Sequence, residues 1–162
     1  MQTWLPYERF EGSAKALRNK ELGRQRVDTK MVLNALCFPK RKSAWRFHPV
    51  CRMWKGYEGQ LVEYWIAITD EWKRRGHKHT MELDAELWKR ARVGYPRRPW
   101  WLGQPEFHES QQSALIRRCA EHYQSQFPHV PDFPPIWPVM RSGDKNKFLR
   151  PQGKEQPLVI PF

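Results

Sequence analysis

HPVCRMWKGYEGQLVEYWIAITDEWKRRG, residues 48–76, carries the pattern on which the fold turns. Val50, Met53, Trp54, Tyr57, Leu61, Tyr64, Trp65, Ile68 and Trp72 recur at intervals of three and four, which puts them on one face of a helix of about six turns. Pro49 suits a first helical turn, where its missing N–H is no loss. Gly76, after Lys73-Arg74-Arg75, suits a helix end: cations are favourable there, and Gly accepts the left-handed cap. Gly56 and Gly59 each weaken a helix by about 1 kcal/mol relative to Ala, so a bend or a close backbone approach is expected beside them. Trp54, Trp65 and Trp72 are read as core residues of this stripe.

Shorter helices flank it. Phe10–Lys20 holds good helix formers, and Glu21-Leu22-Gly23 reads as a break. A second helix is expected over Arg24–Leu36, with Val27, Met31 and Ala35 on one line and Val32 and Leu36 on the next. Pro39 ends it, and Lys40-Arg41-Lys42 makes a basic loop. Met81–Arg92 forms a helix through Leu83, Leu87 and Ala91. Tyr95–Pro105 is irregular, and Phe107 to about Tyr123 returns to helix. From Pro128 onward lie eight of the 14 prolines. Residues 128–162 are therefore expected to be an extended tail, wrapped on the body through Phe133, Ile136 and Trp137 and frayed beyond Met140. No β-alternation stands out. The fold class is all-α: one compact helical domain over 1–127 with a Pro-rich tail.

The whole chain has 162 residues, enough for one domain with a real core and too few for two catalytic domains. Hydrophobic residues at 40% and aromatics at 14% argue against wholesale disorder. No apolar run is long enough for a transmembrane helix, and Met1–Pro6 lacks the form of a signal peptide. Cys37, Cys51 and Cys119 are odd in number and show no CxxC spacing, as expected of free thiols in an intracellular protein of the cytoplasm or nucleoid. Against 17 Asp and Glu stand 29 Lys and Arg, a net charge of +12, and residues 1–60 alone carry a balance of +8. So basic a first third fits a polyanion, with double-stranded DNA foremost; the plainer reading is a merely soluble basic surface.

Within that third, Arg18-Asn19-Lys20-Glu21-Leu22-Gly23-Arg24-Gln25-Arg26 sets one carboxylate among four cations. Such a carboxylate stays ionised. It can stabilise an oxocarbenium-like sugar while a glycosidic bond breaks, or it can simply pair with Arg18, Lys20 or Arg24. Trp100 and Trp101, after Arg97-Arg98, cannot both face one core from a regular helix, so one is a candidate for stacking on an unpaired base. His77 and His79 lack the Cys or carboxylate partners of a metal site, and no phosphate loop or zinc finger is present. No metal and no cofactor are expected.

Lys20-Glu21-Leu22-Gly23-Arg24, about twenty residues from the N-terminus, resembles the active-site segment of the phage and bacterial pyrimidine-dimer DNA glycosylase (endonuclease V) family. Arg46-Phe47-His48-Pro49, Glu71-Trp72-Lys73-Arg74-Arg75-Gly76, Phe107-His108-Glu109-Ser110-Gln111 and Leu115-Ile116-Arg117-Arg118 with Tyr123 follow in the family's order, over roughly residues 1–127. The opening Met1-Gln2-Thr3-Trp4-Leu5-Pro6 with Leu22-Gly23-Arg24-Gln25-Arg26 looks closer to a divergent branch. The resemblance implies an all-α fold with the N-terminal segment across the body. It also implies a DNA glycosylase coupled to an abasic-site lyase, in which the α-amine forms a Schiff base at the sugar C1′. Carried over, Glu21 takes the carboxylate role and Met1 supplies the amine, since bulky Gln2 leaves the methionine in place. Lys20, Arg24 and Arg26 clamp phosphates, and the basic loop Lys40, Arg41 and Lys42 adds DNA contacts. Ala14 stands near a position that the family fills with histidine. Two other readings stand beside this one: a non-catalytic nucleic-acid-binding protein on the same scaffold, and a phage factor that binds a host protein through its Pro- and Trp-rich C-terminal region.

Overall fold

The computed structural model describes residues 2–39, 43–93 and 97–139, together with two short strands further on. Its body is helical: α1 (Phe10–Ala16), α2 (Asn19–Cys37), a 3-10 turn over Ala44–Phe47, α3 (Pro49–Trp54), α4 (Glu58–Arg74), α5 (Ala85–Ala91), α6 (Pro105–Arg118) and α7 (Ala120–Tyr123). Helices α2 and α4 form the central pair, with α1 against α4 and α5 against both. The stripe read from the sequence fills the interface: Val50, Met53, Trp54, Tyr57, Leu61, Tyr64, Trp65 and Ile68 are buried, while Trp72 is partly covered.

The expected single helix over 48–76 is two helices. Helix α3 stops at Trp54, Lys55 is extended, and Gly56 has φ +84°. L-residues avoid that region because Cβ crowds the following carbonyl. The Gly56 N–H donates to Glu58 Oε1, closing the turn into α4. The turn keeps the stripe continuous, and the Trp54 and Tyr64 rings stack across it with centroids 6.3 Å apart. A Cβ at Gly56 would meet no atom within 4 Å. Gly56→Ala should therefore show the backbone penalty alone, about 1–2 kcal/mol by denaturant unfolding.

The expected break at Glu21-Leu22-Gly23 is likewise displaced. Helix α1 ends at Ala16, Leu17 and Arg18 are extended, and the Glu-Leu-Gly triplet lies in the first turns of α2. Two distant groups decide this. Arg75, just past α4, donates to the carbonyls of Ala14, Lys15 and Leu17 and so caps α1. Tyr123 accepts the Arg18 N–H. Gly23 is a close approach and not a break: a Cβ there would lie 3.0 Å from the Trp72 ring.

Smaller differences follow the same logic. Asp84 caps α5 by accepting the Leu87 N–H at 2.8 Å, so that helix starts at Ala85, four residues later than the expected Met81. Extended Cys119 divides the last helix into α6 and α7. In the tail, Ile136 is buried and Val130, Phe133 and Trp137 pack on the body. Trp137–Val139 pairs antiparallel with Lys147–Leu149, which pairs with Leu158–Val159; the rest of the stretch expected to fray lies outside the described residues. These short runs are rich in Val, Leu and aromatics, the residues suited to strands.

The N-terminal segment crosses the body as an extended strap. Thr3 and Leu5 are buried. The Trp4 N–H donates to Gln25 Oε1, the Tyr64 hydroxyl reaches the Trp4 carbonyl, and Trp54 Nε1 donates to Thr3 Oγ1. His108 Nε2 accepts the Gly103 N–H, so its Nδ1 carries the proton and donates to the Leu5 carbonyl at 2.8 Å. Strand-like backbone with no neighbouring strand has been satisfied by side chains of α2, α4 and α6.

Candidate active site

Glu21 sits in the first turn of α2 with its side chain wholly buried. Arg18 donates to it through two nitrogens, each at 2.8 Å, in the bidentate geometry that suits a carboxylate. Arg118 of α6 donates to Oε1 at 2.9 Å, and the Tyr123 hydroxyl lies 3.3 Å from Oε2. Burial by itself would raise the Glu21 pKa. The hydrogen bonds from Arg18 and then Arg118 outweigh it and bring the group down to about 2. Glu21 is thus ionised, but both of its oxygens are already engaged. The network ties the start of α2 to α6 and α7, segments that lie about a hundred residues away in the chain.

The expected phosphate contacts divide. Lys20 is exposed on α2. Arg24 is exposed and forms an ion pair with Asp28, Nε to Oδ1 2.9 Å. Arg26 is drawn inward: its guanidinium lies 4.1 Å from the Trp72 ring centroid and donates to His79 Nδ1 at 3.0 Å. Burial lowers its pKa. This side chain is partly buried and packs on Trp72 of α4. His77 stacks on Trp72 at 4.0 Å and His79 lies edge-on to Trp65, so the two histidines serve packing. Met1, Lys40, Arg41 and Lys42 lie outside the described residues.

Trp100 and Trp101 separate as their adjacency requires. Trp101 is completely buried, its ring 4.9 Å from both Trp54 and Phe107 and its Nε1 on the Met53 carbonyl. It has no face free for a base, which corrects its candidacy for stacking. Trp100 is partly buried and packs against the core.

Arg74 and Arg75, read from the sequence as a helix end, come together with Lys20, an expected phosphate contact. An open groove is lined by Lys15, Arg18, Asn19, Lys20, Arg74, Arg75 and His122, and no carboxylate is among its lining residues. It lies where the ends of α1 and α4 meet the start of α2. Helix α2 begins with no side-chain cap, so its N-terminal partial positive charge adds to the same surface. The consecutive Lys-Arg-Arg at residues 73–75 was the available signal, but only the packing of α1 on α4 brings its two arginines beside Lys15 and Lys20.

Behind this lining Glu71 pairs with Arg74 and Arg75, each at 2.7 Å, and Glu21 with Arg18, so Lys15 and Lys20 carry most of the unpaired charge; a basic groove of this kind suits a polyanionic partner. The chain belongs to the pyrimidine dimer DNA glycosylase family, whose model matches residues 1–85, and DNA is accordingly its substrate class. No curated protein and no solved structure matches it. Among the described residues no helix is long and apolar enough to cross a membrane, and no group of three or more His, Cys, Asp or Glu is placed to hold a metal ion. Cys37, Cys51 and Cys119 are free thiols, and burial raises the first two to about 11.

Proposed function

We propose that this protein is a DNA N-glycosylase with abasic-site lyase activity on damaged or modified double-stranded DNA, and that the α-amine of Met1 is its nucleophile. The observation that carries the reading is the strap. Residues 2–6 are held by side chains from three helices, Gln25 of the basic α2 among them. A nucleophile on a floating terminus would pay the entropy of ordering at every turnover, whereas one on an anchored strap has been positioned in advance. An α-amine has a pKa near 7.7–8.0, so a useful fraction is neutral near pH 7. Lys20 and Arg24 take phosphate contacts, joined by Lys15 and Arg74 of the groove. Glu21, with both oxygens engaged, acts in this reading by holding Arg18 and Arg118 in place beside the groove.

The test is incision of irradiated against undamaged duplex, together with borohydride trapping on an abasic duplex. A covalent adduct supports the reading. Clean binding with neither incision nor adduct returns the protein to a non-catalytic DNA binder, the reading favoured by the locked state of Glu21.

Binding itself makes a sharper expectation. Each phosphate contact contributes about −0.9 to the slope of log K against log salt on B-DNA. Lys20→Ala should shallow the slope by about one unit. Arg26→Ala should leave the slope unchanged and lower stability instead, because that guanidinium packs on Trp72. A salt-independent affinity would remove DNA as the partner.

A further inference from the structure

A second basic surface lies at the other end of the α2–α4 pair. The groove described above gathers at the start of α2, where Asn19 accepts a hydrogen bond from Arg75, just past α4. A separate cavity of about 390 Å³ takes in Leu36 near the end of α2 and Glu58 at the start of α4. At 1.5 Å per helical residue the two lie roughly 25 Å apart along α2, so this cavity does not belong to the site already described. Arg46, Arg52 and Lys55 line it, and all three are exposed. None of them forms an ion pair among the described residues. Glu58 is the carboxylate among the described lining residues, and its Oε1 accepts the Gly56 N–H at 2.9 Å. Three cations against one anion leave the cavity positive.

Phe47 lines the same cavity with 72% of its surface exposed, more than any other Phe, Tyr or Trp among the described residues. Its neighbours fix its position. Ser43 Oγ accepts the Trp45 N–H and opens the 3-10 turn. The Trp45 ring lies edge-on to His48 at 5.6 Å, and His48 lies edge-on to Trp137 at 6.0 Å. His48 Nδ1 accepts the Val50 N–H and so caps α3. Trp45 and His48 thus fasten the turn to the body, while Arg46 and Phe47 between them are exposed. A single exposed apolar side chain is ordinary on a protein surface. An anchored aromatic ring among three cations is a different composition. It offers a π-face for a base and positive charge for the phosphates on either side of it.

We propose that this cavity is a second DNA site and that it holds an unpaired nucleotide. The Phe47 ring stacks on the base, and Arg46, Arg52 and Lys55 meet the flanking phosphates. Inside a duplex both faces of a base are covered by its neighbours, so the ring fits a base that has left the stack or lies in a single strand. The proposal rests on the DNA substrate class of the family and not on the amine chemistry. A failure of borohydride trapping therefore leaves it standing.

The experiment measures the affinity of a single-stranded oligothymidylate of about ten nucleotides, and of a blunt duplex, across a salt series. The proteins are full-length wild type, Phe47→Ala, Phe47→Leu, Phe47→Tyr and Arg52→Ala, each checked by circular dichroism. Because Phe47 is exposed, its variants should fold as wild type does. Phe47→Ala should lose about 5- to 100-fold in affinity for the oligothymidylate, the range for stacking on one base. Phe47→Leu keeps apolar bulk without a π-face and should lose nearly as much, whereas Phe47→Tyr should stay within about twofold. Arg52→Ala should shallow the salt slope on the single strand by about 0.7. Wild-type affinity in Phe47→Ala, or no binding of the oligothymidylate to wild type at low salt, overturns the proposal. Wild-type affinity in Phe47→Leu overturns stacking and makes the ring a plain apolar contact. A loss on the duplex with none on the single strand makes Phe47 a wedge between base pairs, and it overturns the unpaired nucleotide.

Discussion

Glu21→Gln should lower the unfolding free energy near neutral pH by roughly 2–3 kcal/mol, more than most surface substitutions do. The carboxylate is wholly buried and takes three hydrogen bonds from Arg18 and Arg118. The amide keeps the shape, but it removes the charge and turns an N–H group toward guanidinium donors. The pH dependence follows from the depressed pKa, 4.5 in the free side chain and about 2 here. A carboxyl group of this kind contributes stability that is fully present above the unfolded value and is lost as pH falls through the folded one. Such a shift corresponds to about 3 kcal/mol, trimmed because Arg118 is partly exposed to solvent. Urea unfolding from pH 6 down to pH 2 should show the wild type losing this increment and Glu21→Gln lacking it throughout. At a temperature where the variant is folded, trapped adduct should persist. Loss of adduct by orders of magnitude in a folded Glu21→Gln protein would return the chemical role to Glu21 and require an arginine to leave it when DNA binds.

The second large effect belongs to the α-amine. Acetylation of Met1, or one residue added before it, should abolish trapped adduct while duplex affinity changes less than about twofold. Acetylation removes the nucleophilic lone pair and one positive charge. In binding that charge is worth at most about one phosphate contact. An added residue keeps an amine but carries it about 3.8 Å further along the chain, out of register with any group placed to meet it. Persistence of the adduct after blocking would move the nucleophile to a lysine. Lys15 and Lys20 are the first to examine, since both line the basic groove.

Much of the core was legible beforehand. The three-and-four spacing from Val50 to Ile68 named residues that are buried, because a helical face turned to the interior must be apolar wherever the chain runs next. The basic first third was legible for a similar reason: charge is a sum over residues and needs no geometry. Helix boundaries were less so. Gly56 was recognised as a weak point of a helix, yet whether it bends or ends one depended on the left-handed turn that stacks Trp54 on Tyr64. Gly23 looked like a break and is a seat for Trp72, forty-nine positions along the chain.

The candidate site divides along the same line. From the sequence by itself came the helical class, the stripe that fills the core, the excess of cations toward the N-terminus and the carboxylate set among them, since all of these depend on composition and local period. Only the tertiary structure decided which charged groups remain available. Glu21 and Asp28 are both acids on the buried face of α2, but α6 and α7 bring donors to the first, while the second is left to an ion pair with Arg24 of its own helix. Arg24 and Arg26 differ by two positions, and helix rotation leaves one in solvent and lays the other on Trp72. Whether a charge is free or engaged depends on partners from distant segments, and distant partners are set by packing.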